Sequence, residues 1–287
     1  MTNDLLEQAE RAAKDIVRYR RDFRLFAQEQ LKLNGAPIEF WPCQTPLIES
    51  IERQFEQKGY ARCVWLKSRQ VGASTLAQAI VAWRTMLWPH INAIVIGDQA
   101  KRSQTLFDIA KSFYENMDEH IRPIGRYATK SELVLANPSS ITRPADPGLR
   151  SRIVVDSAHK KNIAIGSNWQ IAHLSECARF PDPRFVIDGV IPAVHLVPNT
   201  LIILESSAEM AGHWFRDFAE EAEKKKSAFE FMFVPWYLQP EYFICPVCNS
   251  HLCKEKEHIK RGLKILDPTM EERHLMAEFA LYPGHVN

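Results

Sequence analysis

Residues 67 to 75 read K-S-R-Q-V-G-A-S-T, a glycine-centred turn with cations before it and hydroxyls after it. Such a turn suits phosphate, because its backbone N–H groups converge on one point and the positive end of a following helix dipole adds to their pull. The common phosphate-loop pattern, G-x-x-x-x-G-K-[ST], sets a lysine directly after its second glycine. Here Ala73 fills that slot, and Lys67 stands where the first glycine belongs. Two cations could follow the β- and γ-phosphates of a nucleotide, Lys67 or Arg69, and Ser74 occupies the hydroxyl slot that serves Mg²⁺. An ordinary strand-turn-helix with a glycine at its bend has the same local pattern, so the reading depends on the rest of the chain.

A second element lies downstream in W-Q-I-A-H-L-S-E-C-A, residues 169 to 178, an apolar strand closed by Glu176. In phosphoryl-transfer sites built this way, the strand beside the phosphate loop ends in an Asp that holds Mg²⁺ and a Glu that orients the attacking water. Ser175 takes the place of that Asp, which removes a charge and leaves Mg²⁺ to Ser74 and the nucleotide. A third element, L-I-I-L-E-S-S-A at 201 to 208, brings Glu205, Ser206 and Ser207 to the same carboxyl edge, where ligands bind in open α/β sheets. Upstream, Gln44 in W-P-C-Q can read an adenine edge by giving one hydrogen bond and accepting another.

These residues need a scaffold, and the order of elements supplies one. The pattern predicts a basic amphipathic helix over about 3 to 32, a helix over 43 to 58, strand 61 to 67, helix 74 to 88, strand 92 to 97 and a helix over 99 to 117. Runs at 132 to 136 and 152 to 156 flank a Pro- and Ser-rich hairpin or loop, followed by strand 169 to 175, helix 184 to 192, strand 200 to 205, helix 213 to 226 and strand 229 to 234. Strands alternating with helices mean a mostly parallel sheet covered on both faces. The expected division is a helical segment at 1 to 35, a nucleotide-binding core at 36 to 240 and a Cys-rich appendage at 241 to 287.

With 287 residues, 46% hydrophobic and 25% charged, the composition is that of an ordinary globular protein, and a net charge of +1 announces no global field for nucleic acid. No run approaches the roughly 18 apolar residues of a membrane span, and the N-terminus lacks a signal-peptide pattern, so a cytosolic protein is expected. Its six cysteines are then expected as thiols or metal ligands. Cys245, Cys248, Cys253 and His258 stand at C-x₂-C-x₄-C-x₄-H, a zinc-knuckle spacing with the last two ligand types exchanged, His251 being the alternative fourth ligand.

Taken in order, W-P-C-Q, K-S-R-Q-V-G-A-S-T, I-V-I-G-D-Q-A-K-R-S-Q-T-L-F, H-L-S-E-C-A, L-E-S-S-A followed by H-W-F, and V-P-W-Y-L-Q-P-E-Y resemble the ATPase domain of the large terminase subunit of tailed bacteriophages, over about residues 20 to 280. Some members of that family set the loop lysine at the first position, and some have Ser-Glu in place of Asp-Glu. The resemblance implies a P-loop ATPase fold of the RecA-like kind, ATP and Mg²⁺ as ligands, and a motor that translocates double-stranded DNA into a procapsid. It assigns Gln44 to adenine, Lys67, Ser68, Arg69, Gln70, Val71, Gly72, Ala73, Ser74 and Thr75 to the triphosphate, Glu176 to activation of water, and Ser206 and Ser207 to coupling. Implied partners are the portal protein, the small terminase subunit and further copies in a ring, with no membrane. An arginine acting in trans is expected among Arg143, Arg150 and Arg152, and Lys101, Arg102, Lys160 and Lys161 are candidates for DNA phosphates. The family's nuclease domain has no counterpart here, so no DNA cleavage is expected from this chain. A helicase-like DNA-remodelling ATPase and a non-hydrolysing nucleotide- or DNA-binding module are the alternative readings.

Overall fold

The computed structural model describes residues 3–160, 168–207 and 214–235. The chain opens with helices α1 (Asn3–Arg21) and α2 (Phe23–Gln30), then a small antiparallel pair, β1 (Lys32–Leu33) and β2 (Ala36–Pro37). One continuous basic helix was expected over this stretch. Asp22 breaks it, because its backbone is extended at φ −133° and its carboxylate accepts a hydrogen bond from the Leu25 N–H, capping α2. Next come α3 (Thr45–Lys58), β3 (Ala61–Lys67), α4 (Ala73–Leu87), β4 (Asn92–Gly97) and α5 (Ala100–Glu115). The remainder comprises β5 (Tyr127–Ala128), β6 (Glu132–Leu135), β7 (Ser151–Ser157), β8 (Ile171–Ser175), α6 (Ile191–Ala193), β9 (Leu201–Ser206), α7 (Trp214–Glu223) and β10 (Glu230–Val234). A π-helical turn over Phe185–Val190 runs into α6, where a single α-helix was expected.

Eight of these strands form one sheet in the order β10-β3-β9-β8-β4-β7-β6-β5. β10 through β7 run parallel, and only the β7-β6-β5 edge is antiparallel. The expectation of a largely parallel, two-faced sheet therefore holds, with the Pro- and Ser-rich segment as the antiparallel connection.

Strand pleating divides the core. In β4, Ala93 and Val95 face the side packed by α2, α3, α4 and α5, with Phe26, Leu47, Leu76, Ile80 and Phe107, whereas Ile94 and Ile96 face Val186, Phe215 and Ala219. α4 is enclosed along almost its whole length, with 13 of its 15 residues buried. Its sequence is apolar all round, which suits a helix surrounded by protein and not one lying on a surface. Among the described residues no helix is long and apolar enough to cross a membrane.

Candidate active site

All five inner parallel strands, and β10 beside them, end on one edge, and the chemistry-bearing residues collect there. β3 ends at Lys67, and after the loop α4 begins at Ala73. Gly72 makes the bend at φ +66°, a left-handed backbone that favours glycine, and a Cβ placed there would lie 2.4 Å from the Gln44 side-chain nitrogen and displace that amide. No side chain caps the first turn of α4, which leaves its amides available to an anion. Ala73, in the slot where the common pattern has lysine, is 2% exposed and packed into the core, so a long cation has no room there.

Lys67 turns inward instead. Its ammonium lies 2.7 Å from Glu176 Oε1 and 3.3 Å from Glu205 Oε2, and its side chain is only 6% exposed. Burial alone would lower the lysine pKa, but Glu205 and Glu176 together outweigh it and hold the value above that of a free lysine. Glu176 shows the converse: burial pushes its carboxyl up, and the Lys67 hydrogen bond and charge bring it below its ordinary value. Arg69 is exposed, and among the described residues it has no ion-pair partner. Of the two candidate cations, Lys67 is therefore the one built into the site, and Arg69 stands over the loop in solvent.

Glu176 ends β8 with φ +56° and ψ +41°. A non-glycine residue in this region costs on the order of 1–3 kcal/mol, and such strain persists where surrounding contacts over-determine it. Those contacts are present: besides Lys67, the carboxylate accepts from the Ser207 hydroxyl at 3.2 Å, the Ser207 N–H at 3.4 Å and the Ser206 hydroxyl at 3.5 Å. The two serines thus touch the carboxylate directly.

Strand order corrects one expectation. β8 is not the neighbour of the loop strand, because β9 lies between β3 and β8. Glu205, opposite Trp65 on β3 and Ser175 on β8, consequently sits at the centre of the site with no solvent exposure. Its Oε1 accepts from Ser74 Oγ and from Ser175 Oγ, each at 2.6 Å, and lies 3.5 Å from His173 Nε2. Oε2 is buried and faces the Lys67 ammonium at 3.3 Å. Burial raises this carboxyl, and the His173 contact, the Lys67 charge and the Ser175 hydroxyl bring it down to about 2. His173 in turn meets the Gln78 side-chain nitrogen at 2.7 Å through Nδ1.

Gln44 lies against the loop, although its amide is engaged with protein: it donates to the Val71 carbonyl at 3.1 Å and accepts from the Trp41 N–H at 3.0 Å. It therefore ties the loop to the turn before α3, and reading an adenine edge would require it to exchange those bonds. Within the loop, Ser68 donates its N–H to the Val234 carbonyl, Val71 is buried, Gln70 has φ +61°, and Thr75 follows Ser74 into α4.

The other candidates are scattered. Arg152 begins β7 beside Asn92, at the opposite edge of the sheet, where it contacts Glu132 and the Trp169 ring; Arg143 caps the carbonyls of Asn137 and Pro138; exposed Arg150 precedes β7. Arg102 and Lys160 are paired with Asp98 and Asp156, whereas Lys101 is exposed. Lys161, Cys245, Cys248, Cys253 and His258 lie outside the described residues. Sequence reasoning placed Glu205 at the ligand-binding edge without naming its role there, and passed over His173 and Gln78. The available signals were a histidine inside an otherwise apolar strand and a carboxylate closing L-I-I-L.

Among the described residues no three His, Cys, Asp or Glu side chains form a cage for a metal. The oxygen donors of Ser74, Ser175 and Glu205 nevertheless suit Mg²⁺, a hard ion that keeps several waters and takes few protein ligands beside nucleotide phosphates. The fit is strengthened by the charge balance, since two buried carboxylates, Glu176 and Glu205, share the one ammonium of Lys67.

No protein-family model and no curated protein matches the chain. Solved structures do. The large terminase of bacteriophage HK97 superposes with a TM-score of 0.59 at 15% identity, covering 94% of this chain and 52% of that one. The ATPase domain of the large terminase of Thermus phage P74-26 gives 0.54 at 14% identity over 92% of this chain and 98% of that domain. The large terminase of a further thermophilic bacteriophage gives 0.52 at 11% identity over 68% of this chain and 46% of that one. This chain spans about half the length of the HK97 protein that it matches. It has the fold of the ATPase domain of bacteriophage large terminases.

Proposed function

We propose that this chain hydrolyses ATP as the motor domain of a viral DNA-packaging machine, translocating double-stranded DNA into a procapsid. The observation that carries the reading is the convergence of Lys67, Glu176 and Glu205, at the ends of β3, β8 and β9, with Ser74 at the start of α4. A phosphate loop without a carboxylate could bind nucleotide; one facing a strained, buried carboxylate is equipped to turn it over.

In this reading the loop amides and the N-terminus of α4 hold the β- and γ-phosphates, and Lys67 exchanges Glu176 for a γ-phosphoryl oxygen. Ser74 would hold a Mg²⁺ brought in with the nucleotide, and that ion would supply neutralisation of phosphate charge. Glu176, released from Lys67, orients the attacking water and takes its proton while Ser206 and Ser207 hold its second oxygen. The same two serines feel the loss of the γ-phosphoryl through that carboxylate, which gives them a coupling role. Positioning and preorganised charge provide most of the acceleration. Gln44 acts by holding the loop, and Arg69 is the cation free to close over it. An arginine from a neighbouring copy completes the site in a ring docked on the portal in the host cytoplasm, with the small terminase subunit as a further partner. DNA is held through phosphates and not base edges, as a motor indifferent to sequence requires.

The test is phosphate release by the wild type, Glu176→Gln and Lys67→Ala, with and without duplex DNA. Turnover that falls to background in both variants is the expected result. Tight ATP binding without turnover by the wild type, even with DNA and partner subunits, would replace this reading with a non-hydrolysing module. Strand unwinding without capsid components would favour a helicase-like enzyme.

A further inference from the structure

We propose that Glu205 is the carboxylate that positions the magnesium ion of the bound nucleotide, standing in from β9 for the acidic residue that β8 lacks at Ser175. The inference rests on the ATPase reading and extends it to a residue without a role there.

Four observations converge on it. Ser74, the hydroxyl at the start of α4, donates to Glu205 Oε1 at 2.6 Å, so loop and carboxylate already share the place where a hydrated cation would bridge them. Ser175 donates to the same oxygen at 2.6 Å, which puts the carboxylate beside the position whose side chain is uncharged. Glu205 has no solvent exposure, an expensive arrangement for a carboxylate, and the Lys67 ammonium 3.3 Å from its Oε2 is shared with Glu176, so two buried carboxylates face one cation and a second would be accommodated. Finally, Gln78 and His173 form a chain that ends 3.5 Å from Oε1 and holds the carboxylate in one place from behind.

The charge count agrees. With Ser175 uncharged, β8 contributes one carboxylate; Glu205 restores the second, at one strand's remove and closer to the loop strand. The competing role for Glu205 is a structural counter-charge for Lys67, which it approaches at 3.3 Å. The two roles differ in what they predict for metal dependence.

The experiment measures the affinity of the full chain for a slowly hydrolysed ATP analogue by calorimetry, in Mg²⁺ and again in EDTA, together with electron paramagnetic resonance of Mn²⁺ bound with the analogue. The wild type should bind more tightly with metal. Glu205→Gln should lose that advantage by about tenfold or more, the worth of one charge-assisted hydrogen bond to a bound water, and its Mn²⁺ spectrum should change. Adding Ser175→Asp to Glu205→Gln should restore both, because it returns the charge to β8. If Glu205→Gln does not fold, Glu205→Asp keeps the charge one methylene shorter, and an altered Mn²⁺ spectrum is the expected result. A folded Glu205 variant with the wild-type metal advantage and spectrum overturns the assignment while leaving the ATPase reading in place. A wild type that binds no nucleotide in either condition overturns both.

Discussion

Replacing Lys67 by Met removes an ammonium from between two buried carboxylates while keeping an unbranched chain in its place. Glu176 and Glu205 are 7% and 0% exposed, so neither can turn to water when the cation disappears. Removing one partner of a buried ion pair costs about 3–5 kcal/mol, because the other is left as an uncompensated charge. For a domain of this size each kcal/mol lowers Tm by about 2–4 °C, which gives a fall of at least about 6 °C near neutral pH.

The pH dependence is a sharper test. In the wild type both carboxyls lie below their ordinary 4.5 and Lys67 lies above its ordinary 10.5, so the cluster contributes its full stability between those values. That contribution is lost as pH falls through the depressed carboxyl pKa values or rises through the raised lysine value. In Lys67→Met, burial acts on Glu176 with its principal opponent gone, and the folded-state pKa moves above the ordinary 4.5. Such a group favours folding below its unfolded pKa and loses that contribution as pH rises. The variant should therefore recover part of its lost Tm between about pH 7 and 5, where the wild type gains nothing from these groups. Thermal unfolding followed by circular dichroism across pH decides the matter. A variant with wild-type Tm near neutral pH, or one whose pH profile runs parallel to the wild type, would refute the buried-cluster account.

Three further outcomes follow from the site geometry and the proposed function. Glu176→Gln should lower kcat by about 10²–10⁴-fold, the usual contribution of a general base, without weakening nucleotide binding, as phosphate release and calorimetry will show. Gly72→Ala should destabilise the fold by about 1–2 kcal/mol for its left-handed backbone and weaken nucleotide binding by displacing Gln44; if the Gln44→Ala, Gly72→Ala pair is strictly additive in thermal unfolding, the contact between them is irrelevant. Duplex DNA binding should weaken with salt at a slope of about −0.9 per phosphate contacted, and Lys101→Ala should reduce that slope by about one; a slope unchanged on removing Lys101 would take that residue off the DNA path.

The sheet was legible because its parallel strands are near-continuous apolar runs separated by helices of ordinary length. Strand Asn92–Gly97 and strand Ala61–Lys67 coincide with the expected limits. Other features were not legible, for different reasons. The order of strands is not written in any local pattern: β9 comes late in the chain yet inserts between β3 and β8, and only that insertion makes Glu205 central. The break at Asp22 is local, but in a helix rich in charge one more carboxylate looks like a solvated face, and its capping bond to Leu25 emerges only when the backbone is extended. Similarly, Gln44 has the chemistry to read a base; that its amide is instead engaged with Val71 and Trp41 depends on distances no spacing encodes.

In the motor proposed above, the enclosure of α4 would restrict how chemistry becomes movement. A helix with 13 of 15 residues buried cannot tilt or slide against its sheet without opening cavities along both of its sides, and close-packed interiors resist such changes. In that motor α4 would be an anvil. Force generated at the loop would have to leave through parts that are free to shift, the ends of β8 and β9 and whatever rests on them, or through displacement of the whole sheet as one rigid block.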